Sequence, residues 1–129
     1  MSQVDFAASF AALTGQKLGA CDAPDSVNQL PALLGESKKG RDQLVEHDGA
    51  RVLSYRYGPW KFIEPERRAR GGYSPEGELY ELNLDLGEKN NVRSAQTEKS
   101  TALSSELFDA QRAGRAADAK PVEPKTPRK

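Results

Sequence analysis

The stretch that most constrains this chain runs from Arg51 to Asn91. Apolar and polar residues alternate through Val52, Leu53, Ser54, Tyr55 and Arg56, Gly58-Pro59 breaks the run, and Trp60-Lys61-Phe62-Ile63 follows. A period of two on either side of a turn dipeptide predicts a β-hairpin. Glu78–Asn83 predicts another short strand, closing on a turn rich in Asp, Gly and Asn. Upstream, Gln43–His47 reads as a strand, and Asp48-Gly49 after it is a hairpin signal. Strands are therefore expected over 43–47, 51–56, 60–64 and 78–83, as an antiparallel meander. Residues 65–77, with Arg67, Arg68, Arg70, Gly71, Gly72 and Pro75, read as a long, mobile connection.

Helices are expected on both sides of this sheet in sequence. Ser2 can cap a helix over Ser2–Leu13, with Asp5 as a short-armed capping-box partner. Phe6, Phe10 and Leu13 form its apolar stripe, and Thr14-Gly15 ends it. Ser26–Gly35 is a short apolar segment in which Pro31 suits a first helical turn. Gln96–Ala113 reads as the last helix, with Leu103, Leu107 and Ala110 inward, Phe108 beside them and Glu98 and Glu106 outward. The fold class expected is α+β: a four-stranded antiparallel sheet packed by the C-terminal helix, with the N-terminal helix at its edge. Gly114 is a plausible stop for the helix. Beyond it, 114–129 carries three prolines and a basic excess, and it is expected to be a disordered basic tail after a domain spanning 1–113.

Composition narrows the function classes. Lys+Arg and Asp+Glu are both 19 among 129 residues, so no global field favours a nucleic acid or membrane partner. Hydrophobic residues make up only 36%, which predicts a modest core. Cys21 is the single cysteine, so no internal disulfide and no thiolate metal site can form. No apolar run approaches the roughly 18 residues of a membrane span, and no secretory signal is visible. As it stands the chain is expected to be cytoplasmic. Neither a phosphate-binding glycine loop nor a nucleophile-elbow motif occurs.

The wording of several segments resembles a known family. Gly58-Pro59-Trp60-Lys61-Phe62-Ile63, then Glu78-Leu79-Tyr80-Glu81-Leu82, then Asp85-Leu86-Gly87-Glu88-Lys89-Asn90-Asn91-Val92 is similar to the C-terminal subdomain of type I sulfatases. Leu86 stands where that family usually has Pro, and Phe62 where it usually has Leu. Val4-Asp5-Phe6, Phe10–Gly15 and Ser26–Gly35 lie along the same family's pattern, so the resemblance covers about residues 4 to 110. It implies the alkaline-phosphatase-like superfamily and a subdomain that packs on a catalytic domain and lines part of the substrate pocket. It also implies that the segment preceding it in such enzymes is absent here.

Those enzymes use calcium and a formylglycine made within a Cys/Ser motif ending in Arg. Cys21-Asp22-Ala23-Pro24-Asp25 places Asp25 where that Arg is required, so the motif is broken and Cys21 reads as a loop cysteine. The calcium carboxylates have no counterpart either. No cofactor and no catalytic residue is therefore expected in this chain, which the resemblance makes a sulfatase fragment inactive by itself.

Two candidate binding features remain. His47, the only histidine, stands where related sulfatases often carry one facing the substrate; the other reading is an ordinary strand-end residue. Arg67, Arg68 and Arg70 could capture an anion or sulfated glycan in a stand-alone binding module; the other reading is a solvated loop flanked by Glu64, Glu66 and Glu76. Lys61 alternates with Trp60 and Phe62 and reads as a solvated lysine. The expected partners are a sulfatase catalytic domain or chain, and a weak homodimer through Phe6, Phe10, Leu30, Leu33 and Leu34.

Overall fold

The computed structural model describes residues 2–19, 21–47, 51–66 and 72–113. The chain divides into two compact units, Met1–Leu44 and Val45–Lys129. The Asp48-Gly49 turn, the Arg67–Arg70 cluster, the Gly114 stop and the 114–129 tail lie outside the described residues.

The first unit is held by polar groups. A 3₁₀ turn over Gln3–Asp5 leads into α1, Phe6–Leu13, and α2 is the single turn Leu30–Leu33. The Ser2 N–H donates to Asp5 Oδ2 at 2.9 Å, which is the backbone half of the expected capping box. α1 closes with crossed bonds, Gly15 N–H to the Ala12 carbonyl at 3.3 Å and Gln16 N–H to the Ala11 carbonyl at 2.8 Å. Pro31 sits in the first turn of α2, where its missing N–H costs nothing.

The second unit carries the sheet. Its strands are β1 (Gln43–His47, beginning where the first unit ends), β2 (Leu53–Tyr57), β3 (Trp60–Ile63) and β4 (Glu78–Glu81), in the order β1-β2-β3-β4. β2 pairs antiparallel with β3, and β3 with β4, as the alternation predicts. Four boundaries differ by a residue or two: β2 starts at Leu53 and ends at Tyr57, β3 ends at Ile63 and β4 ends at Glu81. β2 begins at Leu53 because Arg51 has a left-handed φ of 67°. β4 ends at Glu81 because Leu84 and Asp85 both donate back to the Glu81 carbonyl and turn the chain. Between β2 and β3 the first turn position, Gly58, has φ 55°, which glycine adopts without strain.

Register places Tyr55, Phe62 and Leu79 in one row across three strands. α3, Thr97–Ala113, packs on β2 and β3 over that row and adds Leu103 and Leu107 to one buried cluster. Each such side chain contributes about 1.5–3 kcal/mol on burial. Ala110 is buried as well, while Phe108 on the flank of the stripe is 55% exposed. The opposite sheet face has its own small cluster of Val52, Ile63 and Tyr80, covered by Tyr73 and Leu82.

The connection after β3 is tied down where it is described. Glu66 is buried; its N–H reaches the Ser74 carbonyl at 3.2 Å and its carboxylate accepts the Tyr73 N–H at 3.0 Å. Gly77 packs so closely that a Cβ there would stand 2.7 Å from the Ile63 carbonyl oxygen. The expectation of a mobile connection is therefore corrected at both ends, because a buried acceptor in Glu66 joins them.

Candidate functional site

The residues that carry the family resemblance come together on the far side of the sheet and its edge. Asp85 Oδ2 accepts the N–H groups of Lys89 at 2.7 Å and Asn90 at 2.6 Å, so one carboxylate folds the loop after β4. Glu88, held at φ 52°, then points both carboxylate oxygens at Lys61 Nζ, 2.8 and 3.0 Å away. Asn91 Oδ1 accepts from Leu79 N–H at 3.1 Å and Arg93 N–H at 3.0 Å, and Val92 N–H donates to the Leu79 carbonyl at 2.9 Å. These bonds cover the open edge of β4, which would otherwise present unpaired backbone groups.

Lys61 is therefore not the solvated lysine its alternation suggests. It lies on the sheet face opposite α3, as expected, but its side chain is only 19% exposed and is clamped by Glu88, with Glu46 at 3.9 Å. The partner stands 27 residues away in sequence, so no local pattern announces it. Leu86, at the family's usual Pro position, is 84% exposed, which explains why the departure is tolerated. Tyr80 is buried on the same face and donates to Glu78 Oε2 at 2.8 Å. Its phenol is pushed well above its ordinary value, first by burial, then by that hydrogen bond, then by the charges of Glu78, Glu88 and Asp85.

His47 ends β1 and is exposed. Arg67, Arg68 and Arg70 are outside the described residues. Cys21 is free and exposed. Among the described residues no group of three or more His, Cys, Asp or Glu is placed to hold a metal ion. No helix among the described residues is long and apolar enough to cross a membrane.

The first unit holds a second constellation that sequence reasoning missed. Asp5 is fully buried and accepts from Ser2 N–H and, at 3.2 Å, from Val27 N–H. Arg41 lies beside it, Nη1 to Oδ1 at 3.1 Å, an ion pair off the donor direction, while Nη2 donates to the Asp25 carbonyl at 2.7 Å. Ser9, also fully buried, donates to the Asp5 carbonyl at 2.7 Å and accepts from Gln29 N–H at 2.9 Å. Ser26 Oγ accepts from Ala8 N–H at 2.9 Å. The buried side of α1 is thus polar. Its apolar side faces out: Phe10 is 53% and Leu13 58% exposed, with Phe10 stacked on Phe6 at 5.3 Å. Leu34 is exposed too.

No protein-family model matches the chain. The N-acetylgalactosamine-6-O-sulfatase of Bacteroides thetaiotaomicron is 37% identical over 99 residues, which is 70% of this chain and 19% of that protein. A solved Bacteroides thetaiotaomicron chain, from work on the metabolism of multiple glycosaminoglycans, superimposes with a TM-score of 0.80 at 35% identity, over 87% of this chain and 25% of that one. The structure of Ps i-CgsB shares the fold, with a TM-score of 0.60 at 21% identity over 81% of this chain and 22% of its own. This chain thus spans 19% of the length of the relative it matches. It is homologous to part of a sulfatase, in keeping with the C-terminal subdomain that its motifs resemble.

Proposed function

We propose that this chain acts as the C-terminal subdomain of a sulfatase, seated on a catalytic portion through its first unit and lining part of the substrate pocket. It is not catalytic by itself. The observation that supports this most is the inverted burial of the first unit: Asp5 and Ser9 are fully buried, while Phe10, Leu13 and Leu34 face solvent. A surface of that kind gains about 1.5–3 kcal/mol for each such side chain covered. His47, at the exposed end of β1, is the group offered to the substrate. A second copy of the chain is the competing occupant of the same surface.

The test mixes this chain with N-acetylgalactosamine-6-O-sulfatase from which the matching segment has been deleted. The expected result is co-elution and a gain in hydrolysis of a 6-sulfated galactosamine substrate. Phe10→Asp should abolish both, and His47→Ala should lower turnover while leaving co-elution intact. Turnover by this chain alone, above a heat-treated control and lost on mutating the chain, would contradict the proposal. So would a stable homodimer that excludes the catalytic portion.

A further inference from the structure

We draw no further inference here: the strongest candidate, the surface patch of Leu84 and Leu86 on the loop after β4, 87% and 84% exposed, carries nothing because nothing in the structure shows what covers it.

Discussion

The two units of this chain bury opposite kinds of side chain. In the second, Tyr55, Phe62, Leu79, Leu103 and Leu107 are inside, and Lys61 and Glu88 pair at the edge, with Glu66 the one buried carboxylate among its described residues. In the first, Asp5, Ser9 and Gln29 are inside and Phe10, Leu13 and Leu34 are outside. An apolar core is self-sufficient, because its stabilisation comes from leaving water. A polar knot is not, because its net hydrogen-bond gain is small and its failure is costly. The second unit carries its own apolar core, and the exposed side chains of the first fit the proposal that a catalytic portion covers it.

The largest effect should come from cutting the apolar core. Phe62→Ala should destabilise the second unit by about 3–5 kcal/mol, while Phe10→Ala in the free chain should stay within about 0.5 kcal/mol. Urea unfolding of both variants checks this, and similar losses would erase the contrast. Next comes the knot. Asp5→Ala leaves Arg41 buried without its carboxylate and should cost about 3 kcal/mol in the first unit alone. Circular dichroism should then lose helix signal while Trp60 emission melts as in wild type. A shift of both together would mean the units fold as one.

A smaller effect is expected at the sheet edge. Glu88→Gln removes the charged partner of Lys61 and should cost about 1–2 kcal/mol in thermal unfolding. The double variant Lys61→Met, Glu88→Gln should recover part of that loss. The smallest effect is a pH dependence at Tyr80. Its folded phenol keeps its proton above the ordinary value of about 10, where the unfolded chain releases it. The contribution is complete below about pH 10 and is lost as pH rises beyond it. Tyr80→Phe should flatten that alkaline slope, and an unchanged slope would assign it elsewhere.

The second unit was legible in sequence because its signals are local. Gly58-Pro59 marks the hairpin, and Leu103, Leu107 and Ala110 mark the buried stripe of α3. What escaped was set by distant partners. Lys61 alternates correctly but meets Glu88, far along the chain. Asp5 reads as an exposed cap until Arg41 and Val27 are folded against it. The stripe of Phe6, Phe10 and Leu13 was visible as a stripe, yet periodicity tells which residues share a face and not what covers it. His47 is legible only by resemblance, since one exposed histidine carries no geometry of its own.

Hydrogen exchange on the full chain, alone and with the segment-deleted sulfatase, tests the central claim most directly. Alone, the amides of Tyr55, Phe62 and Leu79 should be strongly protected, while those of Ala8, Phe10 and Leu13 exchange far faster. Adding the catalytic portion should slow the second set and leave the first unchanged. Equal protection of both sets in the free chain, with no change on mixing, would contradict the account, because the first unit would then need no cover.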